Sequence, residues 1–126
     1  MTGRLSLPTM ERLAPFVPAE NLRSMRIVTG RPWCWLPVLL RMSAVTVAYW
    51  VIFRQGKYDP VTPRGAALIA HESYHIGQVR QLGVLRFFTR YLWGQFRCGF
   101  HHDRHPMEIP AIALQRRVWA ELDRGG

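Results

Sequence analysis

Apolar positions along the chain follow two regimes. Before residue 60 they come in short runs of β-branched and aromatic residues broken by Gly and Pro, and from Thr62 onward they recur at helical spacing. Residues 8–16 read as a short helix limited by Pro15 and Pro18, residues 19–22 as a turn, and residues 25–29 as an extended segment stopped by Gly30 and Pro32. Residues 44–54 are strand material throughout, and a turn follows at residues 55–60. Thr62 is then an N-cap with Pro63 at N1, and residues 65–81 run without a breaker to Gly83, a good residue just past a helix end. A second helix over residues 84–97 places Val84, Phe87, Phe88, Tyr91, Leu92 and Phe96 on one broad face, which is expected to cover the first helix. A third starts at Pro106 or Pro110 and runs through Leu122. Strands first and helices afterwards predict an α+β domain: a short antiparallel or mixed β-sheet followed by three helices.

One stretch competes with this reading. Residues 33–53 carry a single charge, Arg41, and as a helix would nearly span a bilayer. Pro37 inside it, Arg41 at mid-span and the Val, Thr, Tyr, Trp and Ile content of its second half favour strands instead.

Length and composition narrow the rest. At 126 residues the chain has room for one domain, taken as residues 1–126. With 48% hydrophobic and 20% charged residues it has the usage of a folded protein with a core. Seventeen basic against eight acidic residues give a net charge of +9. All the basic residues but Lys57 are arginines, spread along the chain, so the charge is read as solubility and loose attraction to anions ahead of a nucleic-acid site. Cys34 and Cys98 are too few for a disulfide framework and lack Cys-x-x-Cys spacing, and two buried thiols are expected. The first eight residues have no signal-peptide pattern, so a cytoplasmic location is expected, with export by a specialised system compatible with the sequence.

The chemistry concentrates in His71-Glu72-Ser73-Tyr74-His75, the HExxH pattern, in the middle of the first long helix. Residues i and i+4 stack one turn apart, about 6 Å between them, so two imidazoles can hold one Zn²⁺ ion. Glu72 stands one residue round from His71, where its carboxylate can serve as general base toward a metal-activated water. A third ligand is needed. The metzincin extension is excluded, since its positions hold Gln78 and Gln81. Glu108 on the following helix is the choice, the gluzincin arrangement. Two alternatives stay open at this level: Glu108 as N3 of a capping box begun by His105, or His101, His102 or His105 as the ligand. Gln78, on the same face as the two histidines, is a candidate to orient a ligand or bond substrate.

Residues 26–30, 44–53, 56–60, 62–65 and 68–78 resemble the small metallopeptidase-type domain associated with extracellular contractile injection systems, over roughly residues 19–82. The resemblance implies a zincin-like fold, with a small β-sheet whose edge lies beside the HExxH helix. Residues 90–92 and 105–109 are similar to the Asn-Pro-x-Glu region of stand-alone members, which supports Glu108 as ligand. Three positions depart from the pattern: His105 replaces an Asn, Pro110 replaces a helix-compatible residue, and Ala48 stands where Gly is common.

The function expected is zinc-dependent peptide-bond hydrolysis: His71, His75 and Glu108 hold Zn²⁺, Glu72 is catalytic, and a peptide or protein substrate adds as a strand along residues 50–53. The alternative is a zinc-stabilised, non-catalytic domain whose basic surface holds a nucleic acid, a protein or a membrane, the last through residues 33–40.

Overall fold

The computed structural model describes residues 2–31, 33–39, 42–99 and 104–125. Strand β1 (Thr2–Gly3) leads into helix α1 (Leu7–Leu13), whose first turn is closed by Ser6 Oγ accepting from the Thr9 amide at 3.4 Å. Residues 19–22, read as a turn, belong to a short helix α2 (Ala19–Ser24) instead. A six-residue helix is too short to hold itself. It is tied from across the chain by Arg80, which donates to Asn21 Oδ1 at 3.0 Å and Glu20 Oε2 at 2.9 Å.

Strand β2 (Arg26–Val28) is followed by a one-turn helix α3 (Trp35–Leu39), then β3 (Ala44–Val47) and β4 (Trp50–Phe53). The described part of the stretch 33–53 is therefore a short helix and a hairpin; no helix among the described residues is long and apolar enough to cross a membrane, and Arg41 lies outside them. Residues 44–54 are not one strand, because Ala48 and Tyr49 turn the chain back with Ala48 at φ +56°. A two-residue hairpin needs positive φ at its first central position, a conformation that glycine adopts without cost. The Gly that the family resemblance implies at this position would meet that need without strain.

The four-stranded sheet is mixed, in the order β1-β2-β4-β3: β2 and β4 are parallel (Ile27 opposite Val51), and β1 and β3 flank them antiparallel. Strand β4 is thus paired on both sides. The expectation that residues 50–53 offer a free edge is corrected: the edges are β1 and β3, and the one beside α4 is β3, residues 44–47.

Three helices follow: α4 (Pro63–Leu82), α5 (Val84–Arg97) and α6 (Ile109–Gly125). Thr62 caps α4 by accepting from the Gly65 amide at 3.1 Å, and Gly83 at φ +86° turns the chain into α5. One sheet face, through Ile27, Ala44, Val51 and Phe53, packs on Ile69 and Ile76 of α4, joined by Leu13, Leu22, Met25 and Val118. Helix α4 is enclosed by the sheet, α2, α5 and α6, so even its polar residues His71, Glu72, Ser73 and His75 are buried. Helix α5 covers α4 with less of its apolar face than expected: Phe87 is buried, whereas Val84, Phe88, Leu92 and Phe96 remain exposed. Cys34 and Cys98 are free, the first buried and the second half-buried.

Candidate metal centre

His71 and His75 lie one turn apart on α4, their ring centroids 5.2 Å from each other. Both Nε2 atoms face a single oxygen, Glu108 Oε1, at 2.9 Å and 2.8 Å. The other oxygen, Oε2, accepts from the Tyr91 hydroxyl of α5. The two carboxylate oxygens thus divide their work, one turned to the histidine pair and one held from behind.

Glu108 reaches this point from just outside α6. Its amide donates to His105 O at 2.9 Å and its carbonyl accepts from the Ile112 amide at 2.8 Å, so it is the residue preceding the first helical turn. The capping-box alternative needs the helix to start at Pro106, and residues 106–108 form a turn instead. Pro110 falls in the first turn, where a missing amide proton costs nothing.

His105 builds that turn. Its Nδ1 accepts from the Met107 amide at 3.0 Å, and its Nε2 donates to Tyr91 O at 2.8 Å. The first bond spans i to i+2, the bond an asparagine side chain makes in an Asx turn, so His105 reproduces locally what the replaced Asn would do. The imidazole is fully buried and stacks on the Tyr91 ring at 4.3 Å. It fits because residue 94 is glycine: a Cβ there would lie 2.4 Å from His105 Cε1 and 2.6 Å from Nε2. Both ring nitrogens of His105 are committed to backbone, which removes it as a metal ligand. His101 and His102 lie outside the described residues.

Gln78 orients His75. Its Nε2 donates to Met107 O at 3.1 Å, which fixes the amide so that Oε1 accepts from His75 Nδ1 at 2.8 Å. With the proton on Nδ1, the neutral ring turns the Nε2 lone pair toward Glu108 and His71. This tautomer suits a cation. Tetrahedral ligands about 2.05 Å from an ion stand roughly 3.3 Å from one another. The three buried donor atoms lie within 4.8 Å of one another, so small shifts would let His71, His75 and Glu108 hold a metal ion.

The electrostatics agree with a cation-shaped site. Burial alone would lower the His75 pKa, but its bonds to Glu108 raise it, so without a metal the ring tends to take a second proton on Nε2. Burial alone would raise the Glu108 pKa, yet bonds from His71, His75 and Tyr91 hold its carboxyl well below the usual range. Burial, and then the Glu108 charge, push the Tyr91 hydroxyl far above its ordinary pKa, so it stays a donor. Glu72, pointing off the same turn toward the sheet, is raised by burial, and its Oε2 accepts from Thr46 Oγ1 of the edge strand at 2.7 Å. Sequence reasoning passed over Thr46 and gave Tyr91 only a packing role. For Thr46 the signal was its alternation with Ala44, which puts both on the face toward α4.

Two imidazoles and a carboxylate converging on one point, with a second glutamate beside them on an α+β scaffold, define a protein with a candidate metal centre. The eCIS core domain model matches residues 4–83, more than half of the chain, and the chain belongs to that family. Searches of curated proteins and of solved structures give no match. His71, Glu72 and His75 fall within the matched stretch, whereas Tyr91, on α5, and Glu108, just before α6, lie beyond it.

Proposed function

We propose that the domain is a zinc-dependent peptidase of zincin-like fold, with His71, His75 and Glu108 as metal ligands and Glu72 as general base. The observation that carries the reading is the placement of Glu72: it shares a helical turn with two ligands yet bonds to none of them, its carboxylate held between the donor cluster and strand β3 by Thr46. Zinc in such a donor set lowers the pKa of a bound water and polarises a carbonyl. The raised pKa of Glu72 suits a base that takes a proton and passes it on to the leaving amine. Tyr91 and Gln78 hold the ligands, the first through Glu108 Oε2 and the second through His75 Nδ1. The free edge of β3 passes the site at Thr46, so an extended peptide pairing with residues 44–47 would bring a backbone carbonyl beside Glu72.

The test is Glu72→Gln on an unbiased peptide pool that includes acidic sequences. A general base is worth about 100-fold to 10,000-fold in rate, so hydrolysis should vanish while zinc is retained. Equal inertness of wild type and Glu72→Gln at saturating zinc refutes the enzyme. One observation favours a second reading, a structural zinc clip joining α4 to the start of α6: His71, Glu72, His75 and Glu108 are all at most 4% exposed. Under that reading Glu72→Gln changes nothing, whereas His75→Ala lowers the melting temperature.

A further inference from the structure

Helix α5 has one occupied side, and the rest of it is bare. Phe87 and Gly94 are buried and Tyr91 is half-buried, and this side faces α4 and the candidate site. On the outward side Leu85 is 79%, Phe88 58%, Leu92 51% and Trp93 66% exposed. At about 100° per residue, Leu85, Phe88 and Leu92 fall within roughly 60° of one another, and Trp93 stands at one border. Beyond that border Arg86, Arg90 and Arg97 fall within an arc of about 40°. The helix contains no acidic residue, and among the described residues none of these arginines has a carboxylate partner.

We infer that α5 is a docking helix for an anionic membrane surface, lying in the plane of the interface with Leu85, Phe88, Leu92 and Trp93 among the upper acyl chains and the arginine row at the headgroups. A contiguous apolar face of this size on a small domain calls for a cover. A second copy is a poor one: each carries +9, and an antiparallel two-fold pairing along α5 would also set the arginine rows against each other. A bilayer with acidic lipids meets both halves of the pattern, since arginines beside an apolar face reach sideways to phosphates while their stems stay on hydrocarbon. At 14 residues the helix is about 21 Å long, enough to lie on a membrane and too short to cross it. The inference does not depend on the domain being an enzyme.

The experiment is co-sedimentation of the whole chain with vesicles of phosphatidylcholine alone or mixed with phosphatidylserine. Binding to the mixed vesicles only is expected. Arg86→Gln with Arg90→Gln should weaken it about 25-fold, taking roughly fivefold for each arginine at an anionic surface. Leu85→Ser with Phe88→Ser and Leu92→Ser should abolish it, and Arg4→Gln with Arg54→Gln, which removes equal charge elsewhere, should lower it much less. Should the triple variant fail to fold, quenching of tryptophan fluorescence by brominated lipid, reduced in Trp93→Phe, reads the same contact. No binding by the wild type, or equal losses from the two arginine pairs, overturns the inference. A wild-type dimer that Leu92→Ser turns into a monomer overturns it as well, and gives the face to a second copy.

Discussion

Gly94→Ala should damage a metal site that residue 94 never touches. The added Cβ would sit 2.4 Å from Cε1 of the fully buried His105, so the imidazole must move. Overpacking of this kind costs about 1–3 kcal/mol. Moving the ring also strains its bonds to Tyr91 O and Met107 N, a further 0.5–1.5 kcal/mol or so for each bond lost. Against this, Ala in place of Gly within a helix returns about 1 kcal/mol. With both bonds lost, the net expectation is a loss of roughly 1–5 kcal/mol, about 4–20 °C in melting temperature for a chain of this size. Zinc affinity should fall as well, because His105 shapes the turn that presents Glu108 and its ring packs on Tyr91. Thermal unfolding with and without zinc and a competitive zinc titration are the assays. His105→Asn in the Gly94→Ala background should recover much of both losses, since asparagine supplies the i to i+2 bond and leaves room for the methyl group. Wild-type stability and zinc affinity in Gly94→Ala, or a double variant worse than either single one, would refute the reasoning.

Three further outcomes are expected. Tyr91→Phe removes the donor to Glu108 Oε2 while keeping the ring, and should weaken zinc binding about 10-fold to 100-fold by competitive titration with the fold intact. Ala48→Gly relieves a positive φ of +56° and should raise the melting temperature by the equivalent of up to about 1 kcal/mol, whereas a loss would mean that the turn is unstrained. The zinc-free protein should lose stability as pH rises above 6.5, because the raised His75 pKa makes its stabilisation complete below that value and removes it as pH climbs through the folded one; zinc-loaded protein should gain over the same range as protons stop competing for Nε2, and parallel profiles would contradict the assignment.

Much of this arrangement is legible in the chain because local rules coincide there. Thr62, Pro63 and Gly83 mark both ends of α4, and the i, i+4 spacing of His71 and His75 places two imidazoles on one face wherever that helix packs. What escaped depends on contacts far apart in sequence. Helix α2 exists through a partner about sixty residues on, Arg80, which no window around residues 19–24 contains. The free edge was assigned to the wrong strand because the parallel pairing of β2 with β4 buries residues 50–53 between neighbours, and only topology reveals that. The hairpin was hidden by Ala48, a residue poorly suited to the turn it makes. The exposed side of α5 could not be separated from its buried side by period alone, since apolar residues occupy most of its circumference.

A crystal structure of the zinc-loaded protein, with anomalous data on both sides of the zinc edge, tests the metal centre most directly. One peak is expected, about 2.0–2.2 Å from His71 Nε2, His75 Nε2 and Glu108 Oε1. The Glu72 carboxylate should stand outside the ligand shell, still bonded to Thr46. A peak ligated by His101 or His102 in place of Glu108, or no peak between α4 and Glu108, would contradict the account.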